Sequence, residues 1–127
     1  MIDIVNGLLI RQGQVLMALR SPQRKNFPNS WSFPGGHVED GETLHGALVR
    51  ELVEEIGVQA TRFYPLDVLK DREVAFHLFV VEEWQDEIAN LGDEHVELLW
   101  VDFDKAGDLP RLALPAYREV FEALKSL

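Results

Sequence analysis

Three carboxylates crowd one short stretch of this chain: Glu51, Glu54 and Glu55. Around them apolar Leu44, Ala47, Leu48, Leu52 and Ile56 recur at three- and four-residue spacings after the turn-forming pair Asp40-Gly41, and Gly57 supplies a stop. That spacing predicts an amphipathic helix. On it Glu51 and Glu55 stand one turn apart, with Glu54 beside Glu55. Like charges so placed repel, and the nearest cation is the single Arg50, one turn before Glu54. A solvated acidic face is one outcome of such a pattern. The other is a seat for a hard divalent cation, because magnesium is held by a few carboxylates while water and substrate phosphates fill its other positions.

The residues flanking the trio favour the second outcome. Gly36, Glu42, Arg50, Glu51, Leu52, Glu54, Glu55, Gly57 and Val58 occupy every fixed position of the pattern G-x5-E-x7-R-E-U-x-E-E-x-G-U, where U is aliphatic. This stretch resembles the Nudix box, the signature of the Nudix hydrolases. Trp31-Ser32-Phe33-Pro34-Gly35-Gly36 before it, and Asp71-Arg72 with a long apolar run after it, resemble the MutT-like branch of that family. The resemblance covers most of the chain, the C-terminal third only loosely.

The resemblance implies a metal-dependent pyrophosphohydrolase that cleaves a nucleoside diphosphate linked to a group X. The short chain and MutT-like flanks point to a (deoxy)nucleoside triphosphate, split to monophosphate and pyrophosphate. ADP-ribose, another nucleotide sugar or a dinucleotide is the alternative substrate, and a non-catalytic nucleotide sensor is the alternative role. Isopentenyl diphosphate isomerases share the fold but also use a catalytic Cys, which this chain lacks.

By the same resemblance, Mg2+ (or Mn2+) would be held by the Gly35 carbonyl with Glu51, Glu54 and Glu55. Glu51 is the first candidate for general base and Glu94 the second. Many relatives carry a further Glu before the later strand, for which Glu94 is the first choice and Glu97 the second. Arg50 would orient a metal-binding carboxylate. Glu42 would bind or brace the metal through water, or simply suit the positive end of the helix dipole. Arg20 corresponds to an Arg near the base or phosphates, and His37 would touch phosphate or remain a solvated turn residue. Tyr117 aligns with an Asn that reads oxidised guanine in the MutT-like branch.

These side chains need a scaffold. Ile2 to Ile10 and Gln14 to Arg20 are apolar, β-branched runs around Arg11-Gln12-Gly13, which predicts a β-hairpin. A polar loop, Ser21 to Ser30, contains Arg24 and Lys25. Trp31 to Pro34 is a short apolar strand running into Gly35-Gly36, where missing side chains permit close backbone approach. Thr61 to Lys70 and Glu73 to Trp84 predict a long hairpin around Asp71-Arg72. Asp93 to Val101 begins acidic and becomes a strand. Pro115 opens a final helix, Ala116 to Leu127, with Val120, Phe121 and Leu124 spaced to pack on a sheet. Strand pairs flanked by two helices give an α/β fold, and the resemblance makes it a Nudix-type α/β/α sandwich with a mixed β-sheet between helices.

Composition bounds the rest. A chain of 127 residues, 46% hydrophobic and 27% charged, is expected to form one globular domain over residues 1–127. No apolar run approaches the length of a membrane span and the N-terminus lacks a basic secretory start, so a cytoplasmic location is expected. The formal charge of −10 disfavours nucleic acid polymers and anionic membranes as partners. It suits a small nucleotide met through metal ions. The sequence leaves the oligomeric state open.

Overall fold

Adjacent residues of one strand, β1 (Ile2–Arg11), serve opposite layers, and the fold is arranged around that strand. A computed structural model describes residues 1–127. Val5 and Leu9 point into a core shared with helix α1 (Leu44–Ile56), where Ala47, Leu48, Leu52 and Ile56 are buried. Leu8, one residue from Leu9, points into a second core with helix α3 (Tyr117–Lys125) and its Tyr117, Val120, Phe121 and Leu124. This alternation is the two-residue period of a strand buried on both faces.

The mixed sheet between the helices runs β3-β2-β1-β6-β5. Its members are β2 (Gln14–Arg20), β3 (Trp31–Ser32), β5 (Gln59–Asp71) and β6 (Val74–Gln85). Strand β4 (Gly35–His37) adds to β1 and β7 (His95–Asp102) adds to β2. The expected hairpin of β1 and β2 exists only at its turn, where Ile10 faces Val15 and Arg11 faces Gln14. Beyond that point β1 leaves β2 and pairs in parallel with β6, Ile2 on Val74 through Leu9 on Val81. Both strands are mostly apolar, so hydrophobic pattern did not distinguish a short hairpin from a long one. β5 and β6 form the predicted long hairpin, its turn at Arg72-Glu73, one residue later than expected.

Helix α1 starts where Thr43 accepts a bond from the Gly46 N–H at 3.0 Å and ends at Gly57, whose φ of 72° a glycine adopts without cost. A Cβ on Gly7 would sit 3.1 Å from both Leu52 methyls, so this glycine lets the helix settle on β1. Leu48, Leu52 and Ile56 are fully buried there. Cutting any of them to Ala would cost about 2–5 kcal/mol. The last helix is shorter than predicted, preceded by a turn through Pro115 and Ala116. A four-residue helix, α2 (Phe103–Ala106), was not foreseen; only Ala106 of it is buried, too little for a periodic signal.

Candidate active site

The box helix and strand β4 meet edge to edge, and their contact explains both glycines. Gly35 gives its N–H to Glu55 Oε2 at 2.7 Å. A Cβ on Gly35 would lie 1.9 Å from the Val5 carbonyl oxygen, and one on Gly36 would lie 2.5 Å from the Glu51 carboxylate carbon. Gly36 thus leaves the space in which the Glu51 carboxylate rests.

Arg50 ties this region together. Its Nε and Nη2 grip both oxygens of Glu42 at 2.7 and 2.8 Å, the two-pronged geometry that suits a guanidinium to a carboxylate. Nη1 reaches Glu51 at 2.9 Å and Glu54 at 3.2 Å, and Nη2 also donates to the His37 carbonyl at 3.1 Å. The bond from Arg50 holds the Glu42 carboxyl down at about 2. Half-buried Glu51 is pushed above the usual carboxylate range by desolvation, with Arg50 opposing. Glu54 is exposed.

Glu55 is the buried member, 5% exposed. Its Oε1 has no hydrogen-bond partner. Facing it is Glu94, placed there by two sets of backbone bonds. Leu91 N–H to Glu55 O at 2.9 Å and Ala89 N–H to Ile56 O at 3.0 Å fasten the connecting loop to the helix end, and Ser21 N–H to Glu94 O at 3.0 Å fastens it to the end of β2. Oxygen atoms of Glu55 and Glu94 and a ring nitrogen of His95 all lie within 4.8 Å of one another. Burial, then the facing Glu94, pushes the Glu55 carboxyl up to about 10. Glu94 is held below the ordinary range by the Glu55 carboxyl and by Arg24, which it meets at 2.9 Å. Burial lowers His95 to about 4, leaving it neutral at physiological pH. A proton on Glu55 beside an ionised Glu94 is an arrangement a cation would displace.

Beside this cluster opens a cavity of about 650 Å³. Arg20, Arg24, Lys25 and Arg72 bring positive charge to it, while Phe27, Phe33, Phe76 and Tyr117 give it an aromatic wall. Arg20 is fixed by its Nε bond to the Asn26 carbonyl at 2.9 Å. Tyr117 is 2% exposed and lies against Phe33 with ring centres 4.6 Å apart. Burial raises its hydroxyl pKa, so the ring is neutral. A second cavity of similar volume, around Trp84 and Trp100, lies apart from the carboxylates.

Of the residues singled out by sequence, Gly35, Glu51, Glu54, Glu55, Arg50 and Glu94 come together, and Arg20, His37 and Tyr117 line the adjoining cavity. Glu94 rather than Glu97 faces Glu55; Glu97 lines the other cavity. His95 joins the cluster although no metal role was expected of it. Its signal was present only as the neighbour of Glu94, since strand β7 begins at His95 and turns its ring inward. Asn6 also lines the cavity as a buried polar residue; sequence reasoning missed it, its only signal being a polar side chain within a largely apolar run.

An acidic helix clamped by one Arg against a glycine strand, with a cationic and aromatic cavity alongside, defines a phosphate-chemistry site of Nudix type. Residues 3–124 match the NUDIX domain, and the chain belongs to that family, in its MutT-like branch. It is 34% identical over 130 residues to the CTP pyrophosphohydrolase of Escherichia coli, covering 100% of this chain and 93% of that protein. It is 29% identical over 130 residues to the 8-oxo-dGTP diphosphatase of the same organism, covering 99% and 98%. The fold superimposes on the MutT NUDIX hydrolase of Burkholderia pseudomallei with a TM-score of 0.82 at 26% identity, over 95% of each chain.

Proposed function

We propose that this chain is a divalent-metal-dependent pyrophosphohydrolase that splits nucleoside triphosphates into monophosphate and pyrophosphate, in one Nudix domain acting on free nucleotides in the cytoplasm. The observation that carries the proposal is Glu55: a buried carboxyl with an unpartnered oxygen facing a second carboxylate, beside a cavity of nucleotide size. The names of its relatives, a CTP pyrophosphohydrolase and an 8-oxo-dGTP diphosphatase, support the substrate class. The chain is a hydrolase of phosphoric anhydride bonds.

The donor set fits a hard cation. Orphaned Glu55 Oε1, the facing Glu94 and the Glu51 carboxylate over Gly36 are oxygen ligands of the kind Mg2+ or Mn2+ takes. Glu51, Glu54 and Glu55 with the Gly35 carbonyl would hold the metal, and Glu94 would complete the set. Bound there, it would neutralise phosphoryl charge and acidify a water.

The protein's own part is positioning. Arg50 anchors one oxygen of Glu51, leaving the other to take a proton from the attacking water; a carboxyl whose pKa is raised by burial is the stronger base. Glu94 is the second candidate, ionised and steadied by Arg24. Arg20, Arg24 and His37 face the phosphates or the base, and Tyr117 and Phe33 offer the base an apolar wall. A panel of nucleoside triphosphates, oxidised guanine nucleotides, ADP-ribose, dinucleoside polyphosphates and nucleotide sugars, assayed for pyrophosphate and phosphate release, tests the proposal. Pyrophosphate from triphosphates, dependent on Mg2+ or Mn2+, is the expected result. Absence of cleavage across the panel, or full turnover in excess EDTA, would overturn it.

A further inference from the structure

Among the polar residues lining the cavity beside the carboxylates, Asn6 is a buried one with an unpartnered atom that neither the metal site nor the cations use. Asn6 stands on β1 opposite Gly35 of β4 on one side and Leu78 of β6 on the other, which puts it on the cavity floor. It is 6% exposed. Its amide orientation follows from its bonding: Nδ2 donates to the Phe33 carbonyl at 3.1 Å, and a flipped amide would set two oxygens against each other. Oδ1 is therefore the free end, buried and without a partner. A buried acceptor left unpaired destabilises the folded state. Every other position on the β1 face around it is apolar, so a residue chosen for packing alone would be Val, Ile or Leu. Phe33, Phe76 and Tyr117 line the same cavity as Asn6, surfaces suited to a planar ring whose edge would then meet Oδ1.

We propose that Asn6 determines base specificity: its Oδ1 accepts an N–H from an exocyclic amino group on the nucleobase. Cytosine, adenine and guanine offer that donor. Uracil, hypoxanthine and xanthine place a carbonyl oxygen at the corresponding position, and oxygen against the buried Oδ1 leaves both acceptors unpaired. Sites built to bond a substrate N–H reject analogues lacking it far more strongly than apolar pockets reject a change of size. The inference rests on the triphosphatase activity proposed above and names which triphosphates that activity takes.

The test compares kcat/KM of the wild-type protein with Mg2+ on three pairs that exchange amine for carbonyl: CTP with UTP, ATP with ITP, and GTP with XTP. For the pair containing the best substrate, the amine-bearing member is expected to lead by at least tenfold. Asn6→Leu, close in shape but without an acceptor, should bring that ratio towards one, mainly through KM of the amine-bearing member. A purely structural role for Asn6 would lower both members equally and leave the ratio unchanged, which would overturn the proposal. Equal wild-type rates within a pair would overturn it as well, and that measurement stands even if Asn6→Leu fails to fold. Absence of hydrolysis of any triphosphate would instead bring down the activity and the specificity together.

Discussion

Glu55→Gln is expected to stabilise the metal-free protein while lowering turnover by several orders of magnitude. Glu55 Oε2 accepts the Gly35 N–H at 2.7 Å, and Oε1 is buried without a partner, facing Glu94. Glutamine keeps that shape: its oxygen retains the Gly35 bond and its amide nitrogen becomes a donor towards the Glu94 carboxylate. The wild-type carboxyl can donate to Glu94 only by keeping a proton that the unfolded chain releases above pH 4.5, so glutamine is favoured by the cost of keeping it, about 1–3 kcal/mol between roughly pH 5.5 and 6.5. For a chain of this size that raises Tm by roughly 3 to 10 °C. The effect has a definite pH dependence. Burial raises Glu55 from 4.5 to about 10, so the folded state keeps a proton that the unfolded chain releases. The corresponding wild-type stability is complete below pH 4.5 and falls as pH rises towards 10, by no more than about 1.4 kcal/mol per pH unit. Glutamine does not titrate, so the advantage of the variant grows with pH. Thermal unfolding in EDTA at pH 6, 7, 8 and 9, paired with turnover in Mg2+, reads both halves of the prediction. A variant less stable than wild type at pH 8 in EDTA, or an advantage that shrinks as pH rises, would refute the reasoning.

Three further expectations follow from named contacts. Gly36→Ala sets a Cβ against the flexible end of Glu51, so kcat should fall at least tenfold with Tm little changed; a large loss of Tm in circular dichroism would contradict this. His95, lowered by burial from 6.5 to about 4, contributes stability that is present above pH 6.5 and lost as pH falls towards 4, of order 3 kcal/mol in all. Urea unfolding at pH 5 and 7 should show His95→Leu gaining stability relative to wild type as pH falls from 7 to 5, a difference from which the opposing titration of Glu55 cancels. Tyr117 presents a phenol at the position where the MutT-like resemblance implies an Asn amide, so the preference for oxidised dGTP over dGTP in kcat/KM should stay below about a hundredfold; a much larger ratio would show that another group reads the oxidised edge.

The box helix was legible because its information is local: the apolar stripe, the glycine stop and the carboxylate spacing all lie within Leu44 to Gly57. The β5–β6 hairpin was legible for the same reason. What sequence did not show was partnership at a distance. β1 pairs with β6 through register, not pattern, and a strand buried on both faces presents no alternation to reveal its neighbours. In the site, the approach of Glu94 to Glu55 depends on how residues 85–94 fold back over the end of α1, which no spacing encodes. Arg50 was expected to orient a metal-binding carboxylate and does reach Glu51 and Glu54, but its two shortest bonds go to Glu42, because the turn at residues 39–42 swings that side chain into reach. Burial decided His95 and Asn6, and burial of a polar residue is visible only once its neighbours are placed.

The parallel pairing of Ile2–Leu9 with Val74–Val81 also sets the order in which the molecule can assemble. The β5–β6 hairpin and helix α1 form from neighbouring residues, whereas β1 can dock on β6 only after residues 10–73 have been gathered into a closed loop, the slow kind of contact. Strand β4 and the box helix lie inside that loop, and β4 is held by β1 itself. The carboxylates therefore converge after the rate-limiting closure, and a bound cation should lengthen the life of the folded state without hastening its formation. Stopped-flow refolding insensitive to Mg2+, beside unfolding slowed by it, is the kinetic signature; refolding accelerated by Mg2+ would mean that the site forms before β1 is captured.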